Sequence, residues 1–124
     1  TGAPNAIDPV VAFPAHLAPN DLLFYTGSPF PEKYRNGAFI AFHGSWNRAP
    51  EPQEGFYVAF VPFSNGKPSG KWEIFANGFG GTAEQVASGK TVHRPCGLAQ
   101  GPDGSLYVTD DSEGTIWKIS YKAK

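Results

Sequence analysis

The stretch "PCGLAQGPDGSLYVTDDSEGTIWKISY", residues 95–121, divides at two turn tetrapeptides, GPDG and DSEG, each closing on glycine. Around them lie PCGLAQ, SLYVTD and TIWKISY, in which apolar residues alternate with small or polar ones, the two-residue period of a half-buried strand. Three strands joined by tight turns form a β-meander. In its middle strand the alternation puts Leu106 and Val108 on one face and Tyr107 and Thr109 on the other.

The same grammar recurs upstream. "DPVVAF" (8–13) reads as a short strand stopped by Pro14, and "DLLFYTG" (21–27) as a second. A proline-rich connection with an Asn36-Gly37 turn signal leads into "AFIAF" (38–42), which reads as a buried strand. "FYVAFVPF" (56–63) and "KWEIFANGF" (71–79) follow across "SNGKPSG", so that residues 21–79 hold four strands in succession. "GFGGTAEQVASG" (78–89) offers at most one helical turn and reads as loop.

A four-stranded meander, a loop and a three-stranded meander form the pattern of propeller blades. The expected fold is all-β, a partial β-propeller of about two antiparallel four-stranded blades, the C-terminal segment of a larger propeller. One blade covers approximately residues 20–78 and residues 92–124 supply most of the next, within a single 1–124 unit. A small independent β-sandwich or barrel also fits the pattern. A partial propeller leaves exposed strand edges, to be covered by a missing N-terminal strand, a second copy or chain exchange.

Composition agrees with short strands and tight turns: 15 Gly and 12 Pro stand among 124 residues, only 17% of them charged. The net charge of -1 is spread along the chain, which leaves no basic footprint for nucleic acid and no polybasic membrane patch. No apolar run reaches transmembrane length. Cys96 is the only cysteine and reads as a buried thiol, leaving the redox compartment open. The sequence opens on Thr1 and contains no Met, as expected of a processed or excised product.

No metal-ligand spacing is present, because His16, His43 and His93 stand far apart. Asp110 and Asp111, adjacent on a strand, point to opposite faces and read as a solvated turn, with a lone calcium ligand as the alternative. What remains is cationic and planar. "AFHGSWNR" (41–48) ends a strand with an imidazole, an indole and a guanidinium, which turn chemistry alone does not require. Arg48 there, and Arg94 before "PCGLAQ", suit bidentate recognition of carboxylates, and Trp46 suits stacking on a flat ring. The structural alternatives are an Arg48 pair with Glu51 or Glu54, a packed Trp46, a strand-capping His43 and a surface Arg94.

The motifs "AHLAP" (15–19), "HGSWNR" (43–48), "GFYVAFVPF" (55–63) and "HRPCGLAQGPDGSLYVTDDSEGTIWKISY" (93–121), with Phe30, Pro31 and Tyr34, resemble the C-terminal part of the glucose/sorbosone dehydrogenase family. Its members are soluble β-propeller enzymes that use pyrroloquinoline quinone (PQQ) and calcium to oxidise sugars. The resemblance implies that Arg94 is a PQQ-binding arginine and that Arg48 contacts the cofactor from the "HGSWNR" loop. His43 and Asn47 are implied as supporting polar groups, with His16 also near the site.

In that family the histidine base and the main calcium ligands lie in an earlier blade, so no residue of this chain, His43 included, is assigned as the base. The resemblance thus implies a segment inactive alone, within a periplasmic or secreted enzyme that passes electrons from a sugar to an external acceptor. Two other classes remain: a non-enzymatic propeller binding module, and a calcium-dependent lactonase-type propeller, which needs acidic metal ligands.

Overall fold

In the computed structural model, which describes residues 4–123, the run AFIAF forms a strand buried along its whole length, and so its sequence is apolar without alternation. The ends of the 1–124 unit lie outside the described residues. In chain order the elements are β1 (Pro19–Phe24), β2 (Ala38–Phe42), β3 (Tyr57–Val61), β4 (Phe63–Ser64), β5 (Lys67–Pro68), β6 (Glu73–Ala76), α1 (Ala83–Ser88), β7 (Pro95–Gln100), β8 (Leu106–Asp110) and β9 (Ile116–Ile119). They build three antiparallel sheets, ordered β1-β2-β3-β6, β4-β5 and β7-β8-β9. The all-β expectation holds, and the three-stranded meander stands where the alternation of residues 95–121 puts it.

The first sheet has two apolar faces. On one side Phe39, Val58 and Phe60, joined by Tyr25 and Phe30 from the segment after β1, meet Leu106 and Val108 of the third sheet across the main core. Phe39 sits directly opposite Phe60 in the ladder, which gives that core an aromatic centre. The other face carries Ala38, Ile40, Phe42, Tyr57, Ala59 and Val61, packed with Leu17 and covered by Val11, Phe13, Phe63 and Trp72.

Polar ties hold the two large sheets in register. Leu98 N donates to Asp21 Oδ2 at 2.7 Å, and Thr26 N and Gly27 N donate to Gln100 Oε1 at 2.9 and 3.1 Å. The buried Tyr25 hydroxyl donates to Gly104 O at 2.8 Å; Gly104 has φ +76°, and a side chain there would run into Pro29. Tyr57 is the counter-case: its hydroxyl is buried with no partner among the described residues, and burial, assisted by the Glu54 charge, pushes its pKa up to about 12.

These two tyrosines predict opposite signs for one substitution. Tyr25→Phe leaves the Gly104 carbonyl unpaired and should cost ~1–2 kcal/mol, whereas Tyr57→Phe removes an unpaired polar atom and should be neutral or stabilising by up to ~1 kcal/mol. Urea denaturation of both variants checks this, and a loss at Tyr57 equal to that at Tyr25 would contradict it.

Four local expectations are corrected. Residues 8–13 form no strand. Pro9 and Pro14 remove ladder donors, and Val11 and Phe13 serve as a lid on the sheet, with Phe13 edge-on to Phe42. The apolar run 56–63 does not continue as one strand: β3 stops at Val61, before Pro62. Residues 83–88 are helical because Thr82 and Gln85 make a reciprocal capping box, with Gly89 closing the helix at φ +75°. Cys96 is only half-buried, where a bulge between Pro95 and Leu98 breaks the alternation.

Candidate functional site

The C-terminal end of β2 delivers the turn His43–Arg48, and neighbouring segments strap it on two sides. His43 N donates to Ala18 O at 2.9 Å, Gly44 N to Leu17 O at 3.0 Å, and Ser45 N to Glu54 O at 2.8 Å. The buried Ser45 hydroxyl accepts from Glu54 N at 2.8 Å, so a small residue braces the turn from inside. Backbone strain gathers at these straps: His16, Ala18 and Phe56 have φ of 66°, 54° and 60°. A bulky residue such as Phe56 adopts that conformation only where its surroundings force it, and such residues concentrate at functional sites.

The straps set the outward side chains. Trp46 is 81% exposed, an unusual position for an indole. With His16, Ala18 and Asn47 it lines a depression of about 200 Å³. An adjoining depression of about 240 Å³ is lined by His16, Asn47, Arg48 and Glu51, among others. The fold therefore gathers His16, Asn47 and Arg48 around Trp46, although His16 lies far from the others in sequence. Arg48 Nη1 donates to Glu54 Oε2, so this charge is already matched, as one of the structural alternatives expected.

Arg94 reaches the same turn from the third sheet. Its Nη1 donates to Gly44 O at 3.2 Å, and its guanidinium lies 5.0 Å from the centre of the Phe56 ring. Asp110 holds it in place: Oδ1 accepts from Arg94 N and Ser112 N at 2.7 and 3.1 Å, and Oδ2 from His93 Nδ1 and Glu113 N at 2.8 and 3.1 Å. Burial pushes this carboxyl up, but the hydrogen bonds from Arg94, His93, Ser112 and Glu113 outweigh it and hold the pKa at about 2. Next to it, Asp111 Oδ1 accepts from His43 Nε2 at 3.0 Å.

The expectation of a solvated Asp110-Asp111 turn is therefore corrected. Opposite side-chain directions let the pair clamp two segments, Asp110 the His93-Arg94 strand entry and Asp111 the His43 turn. Sequence reasoning missed Asp110, Asp111 and Phe56 as parts of this region, since their partners are distant in the chain. Among the described residues no three His, Cys, Asp or Glu side chains form a group that could hold a metal ion.

The arrangement offers an exposed aromatic plate, a matched Arg48-Glu54 pair and a second guanidinium whose remaining N–H groups meet no hydrogen-bond acceptor among the described residues. Comparison with known proteins bears on what it could hold. The model of the TrAA12-like family matches residues 2–122. An uncharacterised protein of Borreliella burgdorferi is 32% identical over 118 residues, spanning 94% of this chain and 29% of its own length. A pyrroloquinoline quinone-dependent pyranose dehydrogenase of Coprinopsis cinerea is 31% identical over 129 residues, spanning 93% of this chain and 16% of its own.

The calcium and iodide structures of Trichoderma reesei Carbohydrate-Active Enzymes Family AA12 superpose with a TM-score of 0.72 at 27% identity, covering 91% of this chain and 26% and 27% of theirs. The chain thus spans less than a third of the length of these relatives.

Proposed function

We propose that this chain, which belongs to the TrAA12-like family, is one module of a PQQ-dependent sugar-oxidising enzyme and forms part of the wall against which the quinone rests. The observation that carries this reading is Trp46, held exposed on a braced turn between His16 and Asn47. PQQ is a flat ring system bearing carboxylates, and the residues present suit it. Trp46 would face the ring, and Arg94, with N–H groups beyond the one on Gly44, would meet a carboxylate. His16, His43 and Asn47 would add hydrogen bonds, and Arg48, already matched by Glu54, would contribute less charge than Arg94.

When bound, PQQ would supply the two-electron acceptor for oxidation of a sugar hydroxyl, and the electrons would pass to an external acceptor. We place the substrate among the sugars from the pyranose dehydrogenase relative and the family resemblance. Calcium would be held by residues outside this chain. The two larger sheets are read as successive blades, residues 20–78 and 92–124, of the C-terminal part of a larger propeller. No described helix is long and apolar enough to cross a membrane, and a periplasmic or secreted location is proposed from the resemblance.

The test uses Trp46→Ala in the full-length protein. With its ring 81% exposed, Trp46 should matter little to folding, so melting should move by no more than ~0.5 kcal/mol. Loss of ring stacking should weaken PQQ about tenfold in a calorimetric titration. Unchanged affinity would remove the turn from the quinone site and favour a non-enzymatic binding role.

A further inference from the structure

We infer that the groove between residues 52–57 and helix α1 binds a small neutral molecule rich in hydroxyl groups, with residues 80–92 closing over it as a lid. The inference does not rest on the quinone reading. It begins with two buried polar atoms that have no partner among the described residues, the Tyr57 hydroxyl and Gln53 Oε1. Tyr57 is only 3% exposed, and an unpaired polar atom in such a place carries its full desolvation penalty. Both residues line one groove of about 450 Å³, whose wall also includes Glu54, Asn77 and, from α1, Ala83 and Val86.

The chemistry of that wall selects the ligand. Among the described residues no Lys, Arg or His lines the groove, and the charge of Glu54 is matched by Arg48, so neither an anion nor a cation gains by entering. Gln53 Oε1 can only accept a hydrogen bond, whereas the Tyr57 hydroxyl donates as well. Hydroxyl groups answer both needs, since each one donates and accepts. Ile74, Ala83 and Val86 supply apolar surface for the C–H faces of a polyol or monosaccharide.

Because both unpaired atoms are shut off from solvent, a ligand reaches them only if the wall moves, and the segment carrying α1 is built to do so. Residues 80–92 leave and rejoin the fold at one place, where Val92 N donates to Gly80 O at 3.3 Å and His93 N to Phe79 O at 3.0 Å. Beyond that base the polar groups of the helix serve each other: Thr82 and Gln85 cap reciprocally, and Ser88 Oγ donates to Glu84 O at 2.8 Å. Of residues 81–90 only Gln85 and Val86 are even partly buried, and a segment with so few buried contacts opens at low cost. Gly81 and Gly89, at φ +90° and +75°, flank the helix as hinges. Opening lets water reach the Tyr57 hydroxyl and Gln53 Oε1. A polyol satisfies them with the lid down, and so favours the closed state.

Hydrogen exchange on the full-length protein, resolved at the amides of Val86 and Val92, tests the proposal with D-glucose as probe and D-glucuronate as its charged counterpart. Val86 N is bonded to Thr82 O inside the lid and Val92 N to Gly80 O at its base, and so short a helix does not persist once lifted, so both amides report opening. At ~100 mM, D-glucose filling a site with a Kd of ~10 mM should slow both about tenfold. D-glucuronate should slow neither. Tyr57→Phe, which keeps the ring and the fold, should weaken the site about tenfold and cut the response to D-glucose below about twofold. Unchanged exchange in D-glucose would overturn the proposal. An equal response in Tyr57→Phe would also overturn it, as a general solute effect, and equal slowing by D-glucuronate would overturn the neutral ligand class.

Discussion

Gly44→Ala should destabilise the protein by at least about 3 kcal/mol, although it adds a single methyl group. Two costs combine. Gly44 has φ +92°, where an L residue is strained by ~1–2 kcal/mol, and its new Cβ would overlap the Phe56 ring. That ring cannot retreat, because Phe56 is buried, has its own left-handed backbone, lies against Gly80 and is covered by the Arg94 guanidinium.

The backbone would have to yield, and the carbonyl that Arg94 grips would yield with it. Urea denaturation gives the magnitude, and a double-mutant cycle with Phe56→Ala gives the cause: if ring overlap dominates, the two losses will be strongly non-additive. A loss under 1 kcal/mol would contradict the argument.

Asp110→Ala should be at least as severe, at ~3–5 kcal/mol. The side chain is fully buried and satisfies three backbone N–H groups and one imidazole, all left without an acceptor by the substitution. The same residue predicts an acid transition. Its folded-state pKa of about 2 lies below the ordinary aspartate value, so its contribution, on the order of 2–3 kcal/mol, is complete above pH ~4 and is lost as the pH falls toward ~2. Stability measured from pH 6 down to pH 2 should show this slope in the parent chain and lack it in Asp110→Asn. An identical slope in both would exclude Asp110 as its source.

Both residues show where sequence reading succeeds and where it stops. Strand positions were legible because period and turn chemistry are local: Leu106 and Val108 face the core as the alternation requires, and AFIAF is buried as its unbroken apolar run implies. The helix at 83–88 reads as loop in the sequence although its signal, the Thr82–Gln85 cap, is equally local, because the surrounding glycines argue against a helix.

The clamp was not readable. Nothing in the Asp110-Asp111 dipeptide indicates that one carboxylate will be sealed under His93 and the other aimed at His43, since both outcomes depend on how two sheets dock. The sequence offers Arg48 a nearby carboxylate, Glu51 or Glu54, whereas the surroundings of Arg94 come only from the fold. Glu54 arrives beside Arg48, whereas Arg94 meets a carbonyl and an aromatic face.

The straps on the 43–48 turn have a further consequence for how anything binds there. The conformational entropy of that loop was surrendered when the chain folded, through bonds to Leu17, Ala18 and Glu54. A visitor to Trp46 has only side-chain rotamers left to order, at ~0.5–1.5 kcal/mol each. Under the proposed function, recognition at this face would be preorganised: free and occupied states would share one backbone, and selectivity would be exercised through residence time rather than through a rearrangement on arrival.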